Sequence, residues 1–344
     1  MSAARARVKR EALMRLTRGG DRPLLSLSLD LDNQWSYQKI HGAPGWEAFP
    51  SYLDRLVSIL LDRLAGHRVP MTVFVVGQDA ALERNHAALG RLATAGLEIG
   101  NHSFHHEPWL HLYSAQQMAD EVARADDAIV GATGRQPLGF RGPGFSFSDD
   151  TLRVLAARGY LYDGSTFPTF LGPIARLYYF WKSRGLPAEE REKRARLFGT
   201  WREGFRPIEP YVWRVGAHRL VEIPVTTMPL VRLPIHLSYV LYLAGYSRLV
   251  ARTYLRQAIG LCRLLGVEPS FLLHPLDLLG GEEVPALRFF PGMQLSTSFK
   301  VEVFDETIAT LSRHFTIVTM EQHARALAAR DGTPDHADDI REAR

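Results

Sequence analysis

The run Met71-Thr-Val-Phe-Val-Val76 carries no charge and a single hydroxyl, and it constrains the fold more than any other stretch. A strand of this composition must be covered on both faces, the condition of a parallel sheet layered by helices. Patterns of strand and helix alternate on either side of it. Leu24–Asp30 reads as a strand, Trp46–His67 has helical spacing (Phe49, Leu53, Leu56, Ile59, Leu60, Leu64), and Asp79–Ala95 reads as a helix. A strand runs into His102, and a helix over Tyr113–Thr133 opens with Ser114 and Gln117 in capping-box spacing. Leu138–Phe140, a Ser148-capped helix to Arg158, Tyr160–Tyr162, Val221–Thr226, Pro269–Leu273, a helix over Ser298–Arg313 and a strand over Phe315–Met320 continue the rhythm. This predicts an α/β protein and, most specifically, a barrel.

With 344 residues and 46% hydrophobic content, the chain has the material for one large core. The net charge of +4 is local: residues 1–22 hold seven basic residues and two acids, leaving 34 basic and 35 acidic residues elsewhere. A neutral body argues against nucleic-acid binding. The basic arm 1–22 is either solvated or touches anionic lipid. The only cysteine, Cys262, excludes an internal disulfide and reads as a small core residue. No signal-peptide core precedes the first strand, so a cytoplasmic protein is expected. No apolar run approaches the ~18 residues of a spanning helix. The acidic end, 326–344, reads as a flexible tail.

Two polar clusters interrupt the apolar pattern. In Leu25-Ser-Leu-Ser-Leu-Asp-Leu-Asp32, alternation puts Ser26, Ser28, Asp30 and Asp32 on one strand face. Two carboxylates at a strand end are costly to bury without a cation. His102 and His106 stand four apart in His102-Ser-Phe-His-His106, and on a helix both imidazoles would reach one ion. The plainer readings are two surface histidines and an Asp-x-Asp turn.

Between Phe167 and Val215 the rhythm breaks. Phe170–Trp181 is aromatic, 186–196 is dense in charge, and 200–213 is rich in Trp, Tyr and Pro. This is an insertion over the rim, serving either as a lid or part of a substrate groove, or else as a helical hairpin covering core. Met228–Leu265 is again apolar, and its part Leu233–Leu243, flanked by Arg232, Arg248 and Arg252, is either a buried outer helix or an interfacial one giving peripheral membrane contact.

Five clusters thus fall at successive strand ends: Asp30/Asp32, His102/His106, Arg141-Gly-Pro143, Asp163/Ser165 and Leu273-His274 with Asp277. In that order they resemble the polysaccharide deacetylase family (NodB homology, carbohydrate esterase family 4) over residues 23–325. The resemblance implies a distorted (β/α) barrel holding a divalent ion, usually zinc, with Asp32, His102 and His106 as ligands. It further implies Asp30 as catalytic base held by Arg141, His274 as general acid, and Asp163 or Asp277 as the group orienting that imidazole. Backbone N–H groups of Gly144-Phe145 would support an oxyanion. Leu31 separates acids that the family usually has adjacent, a spacing similar to that of deformylases of lipid-linked amino sugars, so base and ligand roles are interchangeable between Asp30 and Asp32.

The function implied is metal-dependent removal of an N-acyl group, acetyl above all, from an amino sugar, with a glycolipid or other biosynthetic intermediate favoured over a polymer. A catalytically silent carbohydrate- or lipid-binding module and a hydrolase of a non-sugar amide or imide are the alternatives. No protein partner is evident in the sequence.

Overall fold

The computed structural model describes residues 22–170 and 204–330. β1 (Leu24–Leu31) leads through α1 (Gln34–His41) and α2 (Leu53–His67) to β2 (Thr72–Val75). α3 (Gly77–Ala80) and α4 (Glu83–Thr94) lead to β3 (Glu98–Asn101), α5 (Ala115–Thr133) to β4 (Gly139–Phe140), and α6 (Asp149–Ala157) to β5 (Tyr162–Asp163). A hairpin of β6 (Tyr211–Val215) and β7 (His218–Glu222) follows, then α7 (Leu237–Tyr246), α8 (Arg248–Leu265), β8 (Ser270–Leu273), α9 (Thr297–His314), β9 (Thr316–Val318) and α10 (Met320–Ala328).

The strands form one curled sheet in the order β6-β7-β5-β4-β3-β2-β1-β8, with β9 paired to the start of β1. Only the β6–β7 pairing is antiparallel. Beyond β7, Thr226 donates its N–H to the Ser270 carbonyl at 3.1 Å and accepts the Ser270 N–H on its hydroxyl at 2.6 Å, which links the two flanks. The expected distorted (β/α) barrel is therefore a half-barrel whose flanks are linked through Thr226 and Ser270.

Alternation along β1 decides which side chains face where. Leu25, Leu27, Leu29 and Leu31 are buried in the outer core with Leu53, Leu56 and Leu60 of α2. The interior carries Phe74, Tyr162, Val221 and Ile223, and α10 contributes Met320, Ala324 and Leu327 to the same cluster. Ser114–Gln117 and Ser148–Thr151 both form capping boxes, as their spacing predicts.

Three expectations are corrected. The helical pattern of Trp46–His67 splits into a 3₁₀ turn, Trp46–Ala48, and α2, because Pro50 disfavours helix at Phe49 (φ 50°). Asp79–Ala95 splits into α3 and α4, and the Asn85 amide accompanies the break by donating to the Asp79 carbonyl at 3.0 Å. The far end of the proposed insertion is not over the rim: Tyr211–Val215 is a strand of the sheet, joined to β7 through Gly216 (φ 56°). The aromatic stretch 171–181, the charged stretch 186–196, the basic arm 1–21 and the tail from 331 lie outside the described residues.

Strand register then builds the rim. Leu31, Val75, Asn101, Phe140 and Asp163 are level with one another across five strands. The residues one step further, among them Asp32, His102 and Arg141, leave the sheet side by side. Leu29 is level with Leu273, so Asp30 lies beside His274 on the neighbouring strand. Among the described residues no helix is long and apolar enough to cross a membrane.

Glu268 ties the ends of the chain together. It accepts from the Leu24 N–H at 3.2 Å and pairs with Arg330 at 2.5 Å and His323 at 3.5 Å. Burial raises its pKa, but His323 and Arg330 outweigh burial and bring it down to about 2. A carboxylate with a depressed folded pKa stabilises above its unfolded pKa and loses that contribution as pH falls from about 4.5 to about 2. With allowance for the half-exposed Arg330, the contribution is ~2 kcal/mol at neutral pH. Glu268→Gln should lower Tm by a few degrees at pH 7, and thermal melts across pH should show that gap closing between pH 4.5 and 2.

Candidate metal centre and active site

Asp32 stands just past β1, and its position is fixed from behind. Its carbonyl accepts the Tyr52 hydroxyl at 2.5 Å. The next residue, Asn33, caps α1 through the Gln34 N–H and sends its amide to Asp79 at 2.7 Å and Ser51 at 2.9 Å. Asp79 also accepts the Trp35 indole N–H at 3.0 Å, and the Trp35 ring lies edge-on to His106 at 6.3 Å. Burial raises the Asp79 pKa to about 7, so this brace carries a proton part of the time near neutrality.

The histidines are not on a helix, contrary to the i, i+4 expectation. His102 ends β3, donating its N–H to the Val75 carbonyl at 2.9 Å, and the chain then turns through Ser103 (φ 62°) and His106 (φ 55°). Left-handed backbone at two non-glycine residues is strained, and it occurs where the surroundings over-determine it. Here the Asn101 side chain accepts the Ser103 N–H at 2.8 Å and the Ser103 hydroxyl accepts the His106 N–H at 3.2 Å. The loop achieves what the helix was expected to do. His106 Nε2 lies 2.8 Å and His102 Nε2 3.3 Å from the same oxygen, Asp32 Oδ1.

All three residues are buried, and their ligand atoms lie within 4.8 Å of one another. The donor set, one carboxylate and two imidazoles, is that of catalytic divalent-metal sites. His102 Nδ1 is 2.6 Å from the Arg141 carbonyl, which can only accept, so Nδ1 carries the hydrogen and Nε2 presents its lone pair to the centre. His106 Nδ1 is buried with no hydrogen-bond partner. Burial raises the Asp32 pKa, yet His106 first and His102 next outweigh it and hold the carboxyl well below the usual range. These residues fit a divalent ion.

Asp30 is placed on the same face two residues earlier. Arg141, fully buried, meets it at 2.7 Å through Nη1, which also reaches the Ser28 hydroxyl at 3.0 Å. Arg141 Nε donates to the Gly164 carbonyl at 2.9 Å, and the guanidinium lies 4.4 Å from the centre of the Phe74 ring. The turn after Arg141 is tight: a Cβ on Gly142 would sit 1.9 Å from the Ser146 carbonyl oxygen, so only glycine fits.

His274 caps the 3₁₀ turn Pro275–Asp277, with its N–H donated to Asp277 at 2.9 Å. Its ring lies 5.8 Å from that of His236, which burial, then His274, pushes down to about 3. His236 is therefore a neutral wall. Phe167 (6.0 Å from His236) and Phe145 (4.7 Å from Phe167) extend it.

Residues 49–162 match the family model described as polysaccharide deacetylase. The chain is 36% identical over 102 residues to the peptidoglycan-N-acetylmuramic acid deacetylase PdaA of Bacillus subtilis (29% of this chain, 38% of that protein). It is 32% identical over 127 residues to the peptidoglycan deacetylase-like protein FGM2 of Gibberella zeae (37% and 35%). Over these stretches the chain is similar to polysaccharide deacetylases. The matched region spans just over a third of each of these relatives. A crystal structure of a polysaccharide deacetylase from Mycobacterium smegmatis has the same fold, with TM-score 0.62 at 19% identity over 93% of this chain and 95% of that one.

Within this deacetylase fold, the structure brings Asp30, Asp32, His102, His106 and Arg141 together directly. Asp163 is elsewhere: it is buried on Ser165 (2.7 Å) and faces Glu222, whose Oε2 accepts the Trp213 indole N–H at 2.9 Å. Asp277 is the nearer of the two acids proposed to orient His274, 4.0 Å from its Nδ1. The Phe145 N–H, proposed for an oxyanion, is already donated to the Gly142 carbonyl at 2.9 Å. Sequence reasoning missed Asp79, His236 and Lys300. Lys300 is buried and donates to the Leu276 and Leu279 carbonyls at 2.6 and 2.8 Å, fixing the loop after His274. Its signal was a lone lysine on the apolar side of a helical pattern.

Truncating one partner of a buried ion pair leaves an uncompensated charge and costs ~3–5 kcal/mol. Arg141→Met should therefore lower the urea midpoint strongly, and adding Asp30→Asn should recover much of the loss. Denaturation of the single and double variants reads this, and an Arg141→Met as stable as wild type would contradict the assigned role of the pair.

Proposed function

We propose that this chain is a metal-dependent hydrolase that removes the N-acetyl group from an amino sugar. The observation that carries this reading is the convergence of Asp32, His102 and His106 beside an Asp30 fixed by Arg141, with His274 on the adjacent strand. Asp32, His102 and His106 would hold a divalent ion, zinc being best matched to one carboxylate and two imidazoles, which when bound would supply a Lewis acid to activate water and polarise the acyl oxygen. Asp30 takes the proton from the attacking water, and the Arg141 pair holds its carboxylate in place. His274 gives a proton to the departing amine. The neutral wall of Phe145, Phe167 and His236 excludes water beside the acyl group and offers it an apolar surface. A silent binding module has no need of a fully buried arginine on Asp30 and a separately braced imidazole, which supports the enzyme reading.

The named substrates of the relatives make peptidoglycan-type N-acetyl sugars the first to try. One observation supports a lipid-linked sugar beside them. The loop 228–234 exposes Leu230 (77%), Val231 and Leu233, with Phe205 (75%) exposed nearby. That loop is tied to the wall: Arg232 donates to the Arg206 carbonyl at 2.7 Å and accepts the Thr169 hydroxyl at 2.9 Å on its own carbonyl, and the Thr227 hydroxyl donates to the Pro168 carbonyl at 3.0 Å. Apolar side chains at the mouth of a sugar site suit an acyl-chain anchor or peripheral contact with a membrane surface.

A chelator should abolish acetate release, and zinc or cobalt should restore it. His102→Ala should lose the bound metal by elemental analysis, while Asp30→Asn and His274→Ala keep it and lose ~10²–10⁴-fold in kcat. Acetate release that continues unchanged in His102→Ala, on both N-acetylated glycan oligomers and lipid-linked amino sugars, would sink the mechanism.

A further inference from the structure

The corner between α7 and α8 joins two surface features that the proposed chemistry leaves unused. Tyr246 (79%), Leu249 (72%) and Val250 stand exposed there, and Tyr242, also exposed, lies edge-on to Tyr246 at 5.3 Å. The apolar loop at the mouth of the site lies on the same flank: the hydroxyl of Tyr254, one helical turn after Val250, donates to the Pro234 carbonyl at 2.7 Å. Leu230 and Arg232 hold positive φ (73° and 58°), a strained backbone from which Leu230 and Val231 project into solvent. With Leu233, the corner and the loop hold seven of the thirteen large apolar side chains exposed among the described residues, a concentration that marks a surface partner rather than scatter.

The other flank of α8 is basic and incompletely paired. Arg248, Arg252 and Arg256 follow at four-residue spacing and so share one stripe of the helix, turned towards α9. Arg248 pairs with Glu302 at 2.5 Å and Glu306 at 3.3 Å, and Arg252 pairs with Glu306 at 2.7 Å. The third step of this ladder has no acid. Thr310 stands four residues after Glu306, and its hydroxyl is donated to the Glu306 carbonyl at 2.7 Å. Arg256 and Arg313, both exposed, flank that gap with no acidic partner among the described residues. They border a cleft of about 290 Å³ lined by Val240, Ala244, Leu255 and Val303.

We propose that this corner is a docking face for an anionic bilayer, seating Tyr246, Leu249 and Val250 at the headgroup–acyl boundary and Arg256 and Arg313 on lipid phosphates. Shape and charge select this occupant. Tyr246, Leu249 and Leu230 are each more than 70% exposed and stand clear of the fold, so a rigid partner would need a pocket for each, whereas a bilayer yields around them. Tyrosine rings and aliphatic side chains beside arginines that lack acids match the headgroup layer, apolar bodies inward and positive charge on the phosphates. Loop 228–234 connects the face to Thr169 and Pro168 beside the neutral wall, so a sugar reaches the site while its lipid stays in the membrane. That use of the face rests on the lipid-linked reading of the substrate; the docking itself needs neither the metal nor the deacetylation.

Co-sedimentation of the full chain with vesicles tests this, phosphatidylcholine alone being compared with equal parts phosphatidylcholine and phosphatidylglycerol. Binding should favour the anionic vesicles and fall as salt is raised. Arg256→Gln and Arg313→Gln should each weaken it about fivefold. Leu249→Asp should weaken it about tenfold. All three should keep the wild-type Tm and the wild-type rate of acetate release from a soluble N-acetylated glycan. No binding, equal binding to both vesicle types, or undiminished binding by the Arg256→Gln/Arg313→Gln double variant would overturn the proposal. So would a dimer in solution that Leu249→Asp dissociates, since the face would then belong to a second copy. If the vesicles are bound as stated but the chain releases no acetate from any substrate, the docking face stands and the deacetylase reading is the part that fails.

Discussion

A guanidinium and a carboxylate buried 2.7 Å apart, Arg141 and Asp30, set the terms for the rest of the structure. Neither charge tolerates the interior alone, so the polypeptide surrounds them with acceptors and donors: the Ser28 hydroxyl, the Gly164 carbonyl and the face of Phe74. Those contacts draw β1, β2, β4 and the segment after β5 onto one point. The Arg141 carbonyl then takes the hydrogen of His102 Nδ1, so the residue that pairs with Asp30 also orients His102. A single residue, through its side chain and its backbone, connects the two acid and histidine clusters.

Around this point, the loops gain precision from supports that touch no reacting atom. Asn33, Tyr52 and Asp79 hold the segment after β1, Ser103 and Asn101 hold the left-handed turn to His106, and Lys300 anchors the carbonyls after His274. The supports are mixed in kind: a carboxyl that is protonated part of the time, a backbone strained at two positions, and a lysine that burial draws down to about 8. Each is unfavourable in isolation and is offset by the packing around it.

The fold and the Asp32–His102–His106 cluster were legible because they rest on periodicity and on residue types with few uses. The leucine-serine alternation of 25–32 put Asp30 inside, and the apolar run 71–76 demanded cover on both faces. Geometry within loops was not legible. The i, i+4 spacing of His102 and His106 suggested a helix, but convergence comes from two positive φ angles, which a histidine and a serine do not advertise. The β6–β7 hairpin was hidden in an aromatic stretch, since Trp213 and Tyr211 serve strand pairing and interior burial as readily as a surface groove. Asp163 looked like a partner for His274 because both follow strands; strand order instead puts β5 beside β4 and β7, and β8 beside β1.

The residues proposed to hold the ion and the proposed proton donor hang from different parts of the molecule. Asp32, His102 and His106 all belong to the first three strands and their loops, whereas His274 depends on β8, α7 and α9, which enter the polypeptide some 130 residues later. Under the proposed function, cation capture and acid delivery are thus built from separate stretches of the sequence that meet at the β1–β8 pairing. Such a division allows one half to be retuned, for a bulkier leaving group or a different acyl chain, while the other keeps its grip on the cation undisturbed.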